Sequence, residues 1–325
     1  MKKLFSMVLI TLIVLLSLTF CKKETVQNRL LHYYRIINAK KGLWVENLKT
    51  GTVISSNQHT PFYMGSIMRI PLLVTLYYQA SKARANLYQK LPIGPAELVY
   101  GTGILQNNED VKFYSMRELA KIMMYANDMT AMDVILKTLG IDNVKKALEE
   151  MKVTGIQINM DNNTVVKKLF ELESDQYKFA SPGMIRQEAI KKEKVIFAMD
   201  SSRLVNVYAD TNTATPSALG TLFKKLIANE LMPENFTKEV LEIMAMGAAN
   251  NSLIYYALPA ATTVQGASSL SQATMSNASV IMSEKAKMIF IFLSNFNRDG
   301  RSISLRRLAY ISRLAYMSAL PVIIE

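Results

Sequence analysis

The chemistry this chain could do starts from Ser66 and, three positions later, Arg69, within Met64-Gly65-Ser66-Ile67-Met68-Arg69-Ile70-Pro71. After Gly65 the apolar residues Ile67, Ile70, Leu73, Val74 and Tyr77 recur at helical spacing. Ser66 is therefore expected in a first helical turn, at the positive end of the dipole, where an anionic oxygen is favoured. Pro71 agrees, since a proline is tolerated only near a helix start. A serine so placed suits acyl transfer if a neighbouring group takes its proton. A buried lysine can do so because its pKa falls readily, whereas arginine stays charged and is a poor base. The sequence leaves open whether Arg69 turns to Ser66 or to an acid such as Asp128.

The elements that must hold this pair follow from pattern. Val26 to Ile37 reads as a helix, and Gly42 to Leu48, the turn Lys49 to Thr52 and Val53 to Ser56 as a β-hairpin. Further helices are expected from Met116 to about Met124, Met132 to Leu139, Thr213 to Asn229 introduced by Thr215-Pro216, and Pro233 to Met246. Ser279 to Ser283 and Ala286 to Asn295 read as paired strands, and Ser302 to Leu320 as a closing helix. Strands at both ends and helices between them predict an α+β sandwich: an antiparallel sheet covered by the N- and C-terminal helices, plus an all-helical lobe. The methionines Met123, Met124, Met244 and Met246 are expected in the core, as are Tyr310, Leu314 and Met317, with Arg306, Arg307 and Arg313 outward. Lys191-Lys192-Glu193-Lys194 reads as a solvated loop or helix face.

The N-terminus carries an address. Met1-Lys2-Lys3 precedes an apolar run of 17 residues, Leu4 to Phe20, which ends at Cys21-Lys22-Lys23-Glu24. This is the layout of a secretory signal. Leu18-Thr19-Phe20-Cys21 resembles a bacterial lipobox, which would place lipid on Cys21. A retained transmembrane anchor and an incidental cysteine are the other readings. Residues 1–20 are then a signal peptide, 21–29 a tether and 30–325 the domain of an exported protein, membrane-anchored in the bacterial cell envelope. With one cysteine there is no internal disulfide. The net charge of +12 is spread along the chain and fits anionic lipid or cell-wall polymer better than nucleic acid. His32 and His59 stand apart from any acidic or cysteine cluster, so no metal site and no cofactor are expected.

Over roughly residues 30 to 320 the chain resembles the class A serine β-lactamases and their penicillin-recognising relatives. Met64 to Tyr78 is similar to the helix bearing their nucleophilic serine, and Tyr100-Gly101-Thr102-Gly103-Ile104-Leu105-Gln106 to the loop before their Ser-Asp-Asn element. Tyr125 to Gly140 is similar to that element and its helix, and Asn212 to Pro216 with the next thirty residues to the helices after the omega loop. The resemblance implies a nucleophile at Ser66, with Arg69 replacing the lysine. It aligns Asn127-Asp128-Met129 with Ser-Asp-Asn, so that Asn127 stands where a serine relays a proton and Met129 where an asparagine binds substrate. Gln265-Gly266-Ala267-Ser268-Ser269 falls where a Lys-Thr-Gly strand holds the substrate carboxylate, which makes Gln265 and Ser268 candidate binding residues without a cation. The oxyanion hole would use the N–H of Ser66 and one from the strand near Ser268. Asp200, Glu188 and Glu193 are candidates for the deacylating acid. Three readings follow: a domain degenerate for β-lactam hydrolysis that binds a β-lactam, a peptidoglycan-like fragment or a protein; an active serine hydrolase acting through an acyl-enzyme on Ser66; or a surface module in which Ser66 is only a helix cap.

Overall fold

The computed structural model describes residues 25–197, 211–271, 274–295 and 301–320. The strands are β1 (Lys40–Asn47), β2 (Val53–Ser56), β3 (Phe62–Tyr63), β4 (Lys90–Ile93), β5 (Lys112–Ser115), β6 (Ile156–Gln157), β7 (Thr213–Ala214), β8 (Thr263–Leu270), β9 (Met275–Met282) and β10 (Lys287–Asn295). The helices are α1 (Val26–Arg35), α2 (Arg69–Ser81), α3 (Met116–Tyr125), α4 (Met129–Leu139), α5 (Ile141–Glu150), α6 (Asn162–Leu169), α7 (Pro182–Phe197), α8 (Pro216–Ile227), α9 (Glu234–Asn251) and α10 (Arg301–Ser318).

Five strands form one antiparallel sheet in the order β2-β1-β10-β9-β8. Its centre is the pairing of β1 with β10, Lys40 opposite Asn295 through Asn47 opposite Met288. β10 is apolar along most of its length because both faces are covered. Met288, Phe290 and Phe292 pack with α1 and α10, through Leu30, Tyr34, Leu308 and Ile311. The alternate residues Ile289, Ile291 and Leu293 join the core of the helical lobe, with Leu73, Leu222 and Met244. The expected α+β sandwich, with first and last helices on one face and helices on the other, is therefore the fold observed.

Several boundaries are set by caps. Ser115 and Glu118 form a capping box that starts α3, and Thr215 Oγ accepts from Ala218 N to start α8. Asp128 Oδ1 accepts from Ala131 N, which begins α4 at Met129 rather than at Met132, so the irregular segment is shorter than the sequence suggests. The helices α5, α6 and α7 and the β4–β5 hairpin had no counterpart in the sequence pattern; Lys191 to Lys194 lie on α7. Met246 and Met317, expected inside, are 45% and 42% exposed, because each falls on the outward stripe of its helix. Tyr310 is half-buried and stacks on Tyr33. α1 begins at Val26, and Arg29 donates to the Tyr310 hydroxyl, so residues 26–29 belong to the folded layer.

Candidate active site

Ser66 lies in a 3-10 turn, Gly65–Met68, that runs directly into α2 and brings Pro71 into the first turn of that helix. Gly65 has φ +51, and a Cβ there would stand 2.4 Å from Ser269 Oγ, so backbone strain and close approach both require glycine. Ser66 is 7% exposed, and its N–H donates to Ser269 Oγ at 3.2 Å. Ser269 Oγ is bonded in turn to Thr274 Oγ1 at 2.8 Å. The Ser66 hydroxyl has no hydrogen-bond partner among the described residues.

Arg69 is 1% exposed and turns away from that hydroxyl. Its Nε donates to the Ser66 carbonyl at 2.9 Å, one terminal nitrogen to Met123 O and Met124 O at 3.3 and 3.1 Å, and the other to Ser268 O at 3.1 Å. Met123 and Met124 lie in the last turn of α3, whose carbonyls have no intrahelical partner. The cation thus caps the negative end of a helix dipole and pins α2, α3 and β8 together. Among the described residues no carboxylate pairs with it. Burial pulls its pKa down to about 9, which still leaves it charged at neutral pH. The question left open by the sequence is answered by main-chain oxygens, not by Ser66 Oγ or Asp128.

Asp128 is fully buried and accepts from Ala131 N at 2.9 Å and Leu105 N at 2.8 Å. Burial raises its carboxyl above the usual range, and these backbone donors oppose the rise. Gly103 makes room for it, since a Cβ there would meet Asp128 Oδ2 at 2.1 Å. Asn127 adopts φ +52, donates its amide to Thr102 Oγ1 at 3.0 Å, and leaves a buried Oδ1 unpaired. Met129 N donates to Thr102 O, and a Cβ on Gly101 would touch the Met129 side chain at 2.9 Å. Both side chains therefore face the 101–105 loop.

On β8 the period of two decides what reaches Ser66. Ser268 Oγ accepts from Leu253 N and Asn277 Nδ2, both at 2.9 Å. It is the next residue, Ser269, that meets Ser66. Gln265 is 8% exposed with a buried, unpaired Oε1. Ser66, Arg69, the Ser268 carbonyl and Ser269 are thus brought together, while the Ser268 hydroxyl points elsewhere. Ser269 shares its face of the strand with Ala267, which belongs to the lobe core.

Two of the candidate acids, Glu188 and Glu193, are occupied. Glu188 pairs with Lys191 at 2.6 Å, and Glu193 accepts from the Tyr100 hydroxyl at 3.1 Å. Burial, with Glu193 adding to it, pushes Tyr100 up to about 12. Asp200 and Cys21 lie outside the described residues. Asp133 escaped the sequence reading. It is 6% exposed and accepts from Asn162 N and Asn163 N, both at 2.8 Å, and from Asn162 Nδ2 at 2.6 Å, fixing the start of α6. Burial, reinforced by nearby Asp161, lifts its carboxyl to about 7. Among the described residues no group of three or more His, Cys, Asp or Glu could hold a metal, and no helix is long and apolar enough to cross a membrane.

Residues 23–317 match the model of the β-lactamase enzyme family. The chain belongs to that family. Among solved structures it is similar to a PBP-A variant, an acyl-enzyme complex with penicillin-G, at 20% identity and TM-score 0.68, covering 90% of this chain and 95% of that one. A β-lactamase from Chitinophaga pinensis gives 16% identity, TM-score 0.71, and coverage of 90% and 99%. An ancestral class A β-lactamase gives 15%, 0.69, 90% and 100%. At these identities the neighbours establish the fold. No curated protein sequence matches. In this chain the Arg69 guanidinium is spent on carbonyls and the Ser66 N–H on the Ser269 hydroxyl.

Proposed function

We propose that this is an envelope lipoprotein, anchored through lipid on Cys21, whose β-lactamase-type domain binds a ligand rather than hydrolysing β-lactams. The observation that carries the reading is Arg69, whose guanidinium is consumed by four main-chain oxygens and reaches no part of the Ser66 hydroxyl. A group that is charged at neutral pH and donates in four directions cannot take a proton from Ser66. The hydroxyl of Ser269 stands against the Ser66 N–H, where the family places a reacting oxygen, and removes a donor that electrostatic stabilisation of an oxyanion needs. The ligand is a small β-lactam or peptidoglycan-like molecule, by analogy with the penicillin carried by the PBP-A complex.

The test is intact-mass spectrometry and turnover on the full chain with a penicillin, beside Ser66→Ala. The expected result is no turnover and no adduct. Turnover approaching the usual enzyme range of about 10 per second, absent from Ser66→Ala, would overturn the reading. A Ser66-dependent adduct without turnover would make the protein a covalent trap.

A further inference from the structure

α1 and α10 lie antiparallel on the sheet face opposite the lobe: Arg29 donates to the Tyr310 hydroxyl at 2.5 Å, and Arg307 to Ile36 O at 2.8 Å. Together the two helices contain six arginines and no aspartate or glutamate. Arg29, Arg35, Arg306 and Arg313 are exposed, as is Lys40 beside them. Three apolar side chains of the same layer, Ile36, Ile303 and Met317, are 42%, 50% and 42% exposed. The lobe differs: α5 carries Asp142, Glu149 and Glu150, and α9 carries Glu234, Glu239 and Glu242. Thr25 caps α1, and it stands four residues after Cys21. Four residues reach no further than about 14 Å even fully extended. The residues between them include Lys22 and Lys23.

We infer that the α1–α10 layer is a docking face for an anionic phospholipid bilayer, seated on the membrane that holds Cys21. The inference rests on the proposed lipid anchor. Acid-free arginine helices are attracted to an anionic surface, and the exposed Ile36, Ile303 and Met317 suit the headgroup boundary. The short tether allows little separation between the start of α1 and the bilayer. Because Ser66 belongs to the lobe side of the sheet, this seating directs its pocket away from the lipid.

The full chain, reconstituted into vesicles of phosphatidylcholine with and without phosphatidylglycerol, carries a fluorophore at Met317→Cys or, as the far control, at Lys137→Cys on α4. Lipid-borne quenchers report which side faces the bilayer. Stronger quenching at position 317 than at 137 on phosphatidylglycerol vesicles is expected, and it should fall at high salt. Replacing Arg35, Arg306 and Arg313 by Gln together should reduce the face-down population by on the order of a hundredfold. Among the described residues none of the three side chains has a hydrogen-bond or ion-pair partner, and an unchanged melting temperature certifies the variant. Equal quenching at both positions, or indifference to phosphatidylglycerol, in a chain that co-floats with vesicles overturns the docking face. A chain that does not co-float, and whose Cys21 reacts with maleimide, overturns the anchor and this orientation with it.

Discussion

The turn at Ser66 and the start of α4 both bury charge, and they do so with opposite signs. At Ser66 the cation Arg69 rests on the C-terminal carbonyls of α3 together with Ser66 O and Ser268 O. At α4, Asp128 rests on the N-terminal amide of Ala131 and on Leu105 N, and one turn further on Asp133 rests on the first amides of α6. Neither corner has a counter-ion among the described residues; helix ends supply the compensation. The difference lies in what each corner kept. Asp128 keeps one helix start tied to the 101–105 loop, whereas Arg69 keeps three elements, α2, α3 and β8, clamped together.

Breaking the cation side should cost most. Arg69→Met leaves four carbonyls without their donor and is expected to destabilise the fold by about 3 to 5 kcal/mol in denaturant unfolding. A cost below about 1 kcal/mol would show that the clamp is dispensable. Arg69→Lys offers one nitrogen where three act, and should remain destabilised by roughly 2 kcal/mol without gaining turnover.

The acid side is sharpened by pH. Asp133 has a carboxyl raised to about 7 in the folded state. The protonated form is favoured on folding, so its contribution is complete below the unfolded value of about 4 and is lost as pH rises through 7. Asp133→Asn should flatten that part of the stability–pH curve, and an unchanged curve would refute the assignment. Asp128→Ala removes two accepted bonds and should cost about 2 kcal/mol at neutral pH. The smallest effect is expected for Ser269→Ala, below about 1 kcal/mol, with the Ser66 N–H released. With Arg69 held on main-chain oxygens and unable to take the Ser66 proton, freeing this donor alone is expected to give no penicillin adduct by intact-mass spectrometry, and an adduct would show that the Ser269 hydroxyl is what blocks acylation.

The long amphipathic helices, the first hairpin and the closing helix were readable because their apolar residues repeat at 3.6 or 2 over enough residues to stand out. α6 and α7 were not, since each depends on outside support: α6 on Asp133, and α7 on a small cluster with Phe170 and Leu172. The candidate site was half legible. Ser66 and Asp128 could be placed from their neighbours. The register on β8 could not, because Gly266-Ala267-Ser268-Ser269 carries no alternation of polarity. Arg69's partners are backbone oxygens from two distant segments, which side-chain identity does not encode.

The β1–β10 pairing has a consequence for how the molecule comes into being. The middle of the sheet joins residues 40–47 to residues 287–295, so the strand made first waits for nearly the last. Contacts of such sequence separation are slow to close. As the chain emerges, α1 and the β1–β2 hairpin lack their central neighbour, and α10 must follow before the face of that neighbour opposite the lobe is dry. Maturation is thus gated by β10 and α10, and a nascent chain short of them holds two separate hairpins, β1–β2 and β8–β9, with nothing to join them into one sheet.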